Sequence, residues 1–247
     1  MVTPGASRNA GGFGATSGRG SARTLTSDDA DAVAKLEGVA AIAKELSNRY
    51  QITAKGTNTN TTVMGVTPSY TEVRNLVVET GSFFSESQDQ SRAKVVVLGP
   101  TTRDDLFGED ADAVGSQIRI NGIVFTVIGI TESKGGSGFT NQDDRVYIPY
   151  ETAARFLAGD DYLTTLSIQA QSEDDMTDIQ TRVSDLLLTR HRIKDSTSAD
   201  FTIINQADIV STASSVTGTF TLLLAAVAGI SLVVGGIGIM NMMLTSV

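Results

Sequence analysis

The run FTLLLAAVAGISLVVGGIGIMNMML, Phe220 to Leu244, contains no charged side chain. At 1.5 Å per residue a helix of this length reaches roughly 37 Å, enough to cross a hydrocarbon core of about 30 Å with some tilt. Thr221, Ser231 and Asn241 are its polar residues, each able to hydrogen-bond within the helix or to a neighbouring one. From Ile209 to Val247 there is no Asp, Glu, Lys, Arg or His at all. Uncharged helices of this length are rare in soluble cores, so the segment reads as transmembrane. Its small residues recur: Ala225 with Gly229, Ser231 with Gly235, then Gly236 and Gly238. In water each glycine inside a helix costs about 1 kcal/mol relative to alanine. In a bilayer, small residues let a second helix approach closely. This pattern predicts a helix built to pack in a bundle. Asn241 is placed to hydrogen-bond across helices or to meet lipid headgroups.

The 19 basic and 28 acidic residues therefore all lie in the first 208 positions, which carry the net charge of −9. A pI near 4.6 argues against nucleic acid as a partner, since phosphate binding needs a basic face. The chain has no cysteine and one histidine, His191, which removes disulfides, thiolate chemistry and any Ser–His pair not built on that residue. The first 30 residues contain no apolar signal-peptide core. An extracytoplasmic domain would thus depend on an anchor upstream of Met1, and the chain is expected to be a fragment.

Before the apolar run, the pattern is α+β. Residues 1–23 are rich in Gly, Ser, Ala and Arg and are expected to form a flexible lead-in. Thr26 and Ser27 precede Asp28, Asp29 and an apolar spacing that ends at Gly38, a capped short helix. Val39–Leu46, Tyr50–Lys55 and Thr61–Val66 are expected as strands, with turns at Ser47-Asn48 and at Gly56-Thr57-Asn58. Lys94–Leu98 (KVVVL), closed by Gly99-Pro100, suggests a buried strand, and Thr101–Phe107 a helix stopped by Gly108. Asn121-Gly122 between two apolar runs is a strong hairpin signal. Val146–Pro149, Leu163–Gln169 and Phe201–Ile204 follow as strands, and Thr152–Leu157 as a helix. Over Glu173–Arg190, Met176, Ile179, Val183, Leu186 and Leu187 form one helical stripe. Asn205 can cap the final helix. A middle segment with its own hairpins suggests an insertion into an outer α/β unit.

Candidate chemical sites are weak. Lys134-Gly-Gly-Ser-Gly lacks the following helix that a phosphate cradle requires, and reads as a mobile hairpin loop or a partner contact. The pairs Asp104-Asp105, Asp143-Asp144, Asp160-Asp161 and Asp174-Asp175 are adjacent in sequence, which suits solvated or capping roles better than acid–base pairs. For Asp143-Asp144 a bond to the preceding loop is expected. His191, beside Arg190 at a helix end, is expected to cap the helix or to lie exposed.

A family resemblance adds to this reading. GVTPSY from Gly65, EVRN from Glu72, GSFF from Gly81, VVVLGP from Val95 and LFG from Leu106 occur in order. Gly115, IRING from Ile118, FTVIG from Phe125, Asp143-Asp144 and VYIP from Val146 continue the series. The set, from about Thr24 onward, resembles the periplasmic core domain of MacB-type ABC transporter permeases. SLVVGGIGIMNMMLTSV from Ser231 resembles the start of the FtsX-like permease domain. The resemblance implies a four-helix permease with its extracytoplasmic domain between the first and second helices, the second being the helix here. It implies a porter-like outer subdomain in two parts, 24–67 and 161–208, around a small α/β insertion, 68–160, with 209–247 entering the membrane. Also implied are a permease homodimer or related heterodimer in the inner membrane, a cytoplasmic ABC ATPase carrying ATP and Mg, membrane lipid, and a periplasmic adaptor protein. The cargo would be of the macrolide, peptide or lipoprotein class. No phosphate-loop motif occurs in this chain, so no cofactor and no catalytic residue are expected within it. A membrane-anchored binding or sensing domain stands as the alternative, and a hydrolase would lack a nucleophile–base constellation.

Overall fold

The computed structural model describes residues 1–5, 23–137, 140–173, 175–195 and 198–245; the side-chain surroundings of 136–140, 208–211, 233, 238 and 241–245 are outside the description. Two compact units result, Met1–Ile203 and Ile204–Val247. The first begins with β1 (Val2–Pro4), α1 (Ser27–Val33) and the hairpin of β2 (Val39–Ala54) and β3 (Thr57–Val66). Next come α2 (Tyr70–Val73), β4 (Val78–Gly81), α3 (Glu86–Gln90), β5 (Val95–Leu98) and α4 (Pro100–Phe107). The hairpins β6 (Gln117–Ile120)–β7 (Ile123–Thr131) and β8 (Gly136–Ser137)–β9 (Thr140–Asn141) precede β10 (Arg145–Pro149). The unit closes with α5 (Tyr150–Ala153), a π-helical turn over Ala154–Ala158, β11 (Thr165–Ala170), α6 (Met176–Arg190) and β12 (Phe201–Ile203).

A ten-stranded mixed sheet runs in the order β12-β1-β11-β2-β3-β10-β5-β7-β4, with β6 bridging β2 and β7. The sheet passes without a break from the strands expected in the outer part to those expected in the insertion, through β3–β10 and β2–β6 pairing. Side-chain alternation puts a separate apolar cluster on each side. One side carries Val63, Val96, Leu98, Val146 and Ile148 in the main core, which extends from Val2 to Phe201. The other carries Met64, Val66, Val97 and Tyr147, packed with Tyr70 and Phe84.

Two expectations are corrected here. Residues 2–4 are a strand seated between β11 and β12, with Val2 fully buried, rather than part of a flexible lead-in; residues 6–22 lie outside the described ones. The expected turn at Ser47-Asn48 is absent, because β2 is one 16-residue strand. Those polar residues sit where β2 changes its second neighbour: β11 pairs as far as Glu45, and β6 takes over at Ile52. The Thr164 hydroxyl accepts the Ser47 amide at 2.9 Å in that gap. The actual turn is Lys55-Gly56, with φ of 48° and 86°, and Asn121-Gly122 matches it at 49° and 84°. Both are two-residue turns that need positive φ at each position. The strands Val95–Leu98, Arg145–Pro149 and the paired β6–β7 agree with the sequence reading. The short α2, β4 and α3 were not expected.

Candidate functional site

The second unit is α7 (Gln206–Thr245), a helix of 40 residues. The Asn205 carboxamide oxygen accepts the Ala207 amide at 3.0 Å, as a cap should. Its segment Thr212–Ile237 has mean hydropathy 2.3 and is long and apolar enough to cross a membrane. Hydroxyls inside it bond within the helix: those of Thr217, Thr219, Thr221 and Ser231 donate to carbonyls four residues back at 2.8–3.0 Å. Ala225, Gly229, Ser231, Gly235 and Gly236 are all exposed. A Cβ added at Gly229, Gly235 or Gly236 would meet nothing within 4 Å, so no contact in the described chain requires glycine there. At about 100° per residue, Ala225, Gly229 and Gly236 fall within about 40° of one another, whereas Ser231, Gly235 and Gly238 form a second stripe about 120° away. Gly218 lies on the first stripe, a position the sequence reading overlooked because it precedes the most apolar stretch. The side-chain surroundings of Gly238 and Asn241 lie outside the described residues.

In the first unit, ionisable groups gather at a joint between helices. His191 is the C-cap residue of α6, as one of the two expectations had it, but its side chain is only 10% exposed, which corrects the other, an exposed role. Its Nδ1 lies 2.8 Å from Asp200 and its Nε2 3.3 Å from Asp29, with the Phe201 ring edge-on at 6.0 Å. Asp29 is the acidic partner of the Thr26 capping box at the start of α1 and also accepts Arg190 Nε at 2.6 Å. Burial opposes its charge, but the bonds from Arg190, Thr26 and His191 prevail and hold its carboxyl at about 2. Residues from α1, the end of α6 and the approach to β12 thus meet at one imidazole. Composition could not reveal this, because Asp29 and His191 are far apart in sequence.

Asp143 fulfils the expected bond to the preceding loop: it accepts Ser133 Oγ at 2.6 Å and the Lys134 and Gly135 amides at 2.9 and 3.1 Å. Burial raises its carboxyl, but these three donors outweigh it and the net shift is downward. Lys134-Gly135 leads into the β8–β9 hairpin, with no helix to complete a phosphate cradle. Several of the other paired acids bond neighbouring side chains. Asp104 accepts Arg103 at 2.7 Å, Asp105 accepts Thr59 at 3.1 Å, and Asp160 pairs with Arg23. Asp175 stands before α6 without a side-chain cap, and Asp174 lies outside the described residues. Among the described residues no group of three His, Asp or Glu side chains could hold a metal.

Two buried carboxylates tie neighbouring elements together. Glu45 on β2 accepts Arg74 Nε and Nη2 at 3.1 and 3.0 Å and also the Ser167 hydroxyl, so it ties α2 to β2 and β11. Asp89 on α3 accepts the Glu151 amide at 3.0 Å and anchors the start of α5.

Comparison with known proteins places this arrangement in context. The MacB-like periplasmic core domain family matches residues 1–186. The "Macrolide export ATP-binding/permease protein MacB" of Bdellovibrio bacteriovorus is 41% identical over 214 residues, 86% of this chain and 33% of the relative. The protein of the same name from Azoarcus sp. is 38% identical over 231 residues, covering 93% of this chain and 34% of the relative. The chain thus spans about a third of the length of these curated relatives. Among solved structures, the periplasmic region of MacB from Actinobacillus actinomycetemcomitans superposes with a TM-score of 0.71 at 20% identity, over 86% of this chain and 91% of that one. The extracellular domain of the ABC-type transporter YknZ from Gram-positive bacteria gives 0.63 at 19% identity, over 73% of this chain and 89% of that one. The mixed sheet with its flanking helices is therefore the fold of these extracytoplasmic domains, and the chain belongs to the MacB-like periplasmic core domain family.

Proposed function

We propose that this chain is the extracytoplasmic domain and adjoining membrane helix of a permease subunit in a MacB-like ABC exporter. The observation that carries the reading is continuity: a domain of this family leads on to a helix whose uncharged segment, Thr212–Ile237, is long enough to span a bilayer. In this reading ATP and Mg bind a cytoplasmic ATPase, on the same or a separate polypeptide. Closure of that ATPase moves the membrane helices, and α7 passes the displacement to β12. The His191 joint supports such transmission, because it ties the approach to β12 to α1 and α6. A rigid joint moves its elements together, whereas a loose one would absorb the motion. The permease would act as a dimer in the inner membrane, with a periplasmic adaptor and a cargo of the macrolide, peptide or lipoprotein class.

The two small-residue stripes of α7 make this testable in the full-length transporter. Gly229→Leu and Gly235→Leu block different stripes, and blocking the stripe that packs should lower dimer recovery or cargo-stimulated ATPase activity at least about tenfold, for loss of close packing. Chemical crosslinking and ATPase assays in proteoliposomes read both effects. Full dimerisation and full stimulated activity in both variants and in Gly235→Leu/Gly236→Leu would exclude α7 as a packed, coupled helix.

A further inference from the structure

The side of the sheet that carries Met64 and Tyr147 opens beyond its aromatic residues into a cleft of about 430 Å³. Two of its arginines share one row of the sheet: Thr62 on β3 pairs with Arg49 on β2 and with Arg145 on β10. Neighbouring strands lie about 4.8 Å apart, so the two Cα atoms are about 10 Å apart and both side chains leave the same face. A third guanidinium, that of Arg74, is matched by the buried carboxylate of Glu45 at 3.0 Å. Among the described residues the one carboxylate paired with Arg49 is Asp144, at 3.9 Å, and the Arg49 Nη2 also donates to the Asn60 carbonyl at 3.2 Å. Arg145 forms no ion pair among the described residues; its contacts are neutral, with Met64 Sδ at 3.9 Å and the Tyr147 hydroxyl.

Three cations therefore face two carboxylates, in a chain whose overall balance is 28 acids to 19 bases. Guanidiniums projecting from either side of one strand repel each other, and the repulsion is relieved when an anion sits between them. Their planar, forked donors match the oxygen pairs of carboxylate and phosphate groups. The cleft also falls within the range of small-molecule sites, about 300–1,000 Å³. We propose that it binds a small molecule bearing an oxyanion, gripped by Arg49 and Arg145 with the Thr62 hydroxyl donating from the row between them. The proposal is independent of the transport reading.

Calorimetric titration of the whole chain in uncharged detergent, with inorganic phosphate and with citrate at constant ionic strength, tests this. Saturable binding of at least one anion is expected, and the tighter of the two identifies phosphate or carboxylate as the recognised group. Arg49→Gln and Arg145→Gln should each weaken binding at least about tenfold, the loss of one charge-assisted contact. Arg119→Gln, at an exposed position on β6, should leave binding unchanged. Absence of saturation by about 10 mM for both anions, or full affinity in both cleft variants, would overturn the proposal. If Arg145→Gln does not fold, Arg49→Gln decides, because the Arg49 side chain is 65% exposed.

Discussion

Asp89 is a carboxylate placed where charge is unwelcome. It is 4% exposed, and burial raises its carboxyl to about 6; the Glu151 amide opposes this, the charges of Glu151 and Glu86 add to it, and Lys44 opposes it. Between the unfolded value of about 3.9 and this raised value, the folded protein binds more protons than the unfolded one, so stability falls as pH rises. Asp89→Asn keeps an oxygen to accept the Glu151 amide and removes the charge. It should stabilise the fold at pH 7 by on the order of 1–2 kcal/mol, measured by urea titration, with little effect at pH 4. An equal effect at both pH values would refute a charge-based origin. The residue was hidden at the sequence level because α3 is only five residues long and has no apolar stripe to mark its inner face. By contrast, the bond from Asp143 to its preceding loop was legible, because a Gly-rich segment supplies free amides close by in sequence.

At the scale of elements, local chemistry was legible wherever it determined the outcome. The Thr26 cap, the Asn121-Gly122 turn and the α6 stripe all follow from neighbouring residues. What failed depended on distant partners. Val2–Pro4 is too short to announce itself and becomes a strand only because β11 and β12 offer open edges on either side. The polar Ser47-Asn48 imitates a turn, but its surroundings are those of a strand exchanging one neighbour for another. The edge strand β4 offers a sharp test. Gly81 has φ of 83°, and a Cβ there would lie 2.2 Å from the Ile128 carbonyl oxygen. Gly56 has a similar φ of 86° but open space around it. Gly56→Ala should therefore cost about 1 kcal/mol, the left-handed penalty alone. Gly81→Ala should cost about 3 kcal/mol or more, since β4 must also shift off β7. Thermal melts of the two variants distinguish these outcomes, and equal losses would mean that β4 yields freely.

For the extracytoplasmic unit as a whole, opposing titrations shape the pH response. Asp29, held at about 2, contributes stability that is present above the unfolded value of about 3.9 and is lost as pH falls toward 2. Asp143, also shifted downward, acts in the same sense. Asp89 contributes stability that is present below about 3.9 and is lost as pH rises through about 6. These groups together place the highest urea midpoint near pH 4–5, with a decline on both sides. Asp29→Asn should remove much of the acid-side decline, and an unchanged acid limb in that variant would show that the His191 joint contributes little. The general architecture, an α+β unit followed by an apolar helix, was legible because charge and periodicity divide the chain so sharply. The cationic cleft was not, because Arg49 and Arg145 become neighbours only through the pairing of three strands.

The seating of β1 has a mechanical corollary. Val2 stands opposite Ile203, so the first and last strands of the unit bring its two ends side by side, like the two legs of a shackle. Any chain continuing from either end would start from the same spot. Two tethers at one point cannot stretch a body between them; pulled together they swing it, and pulled apart they unzip β1 from β12, one rung at a time. A pull that parts the two strands would load the three rungs that join Val2–Pro4 to Phe201–Ile203, and with them the pairing of Val2 to Leu166 on β11.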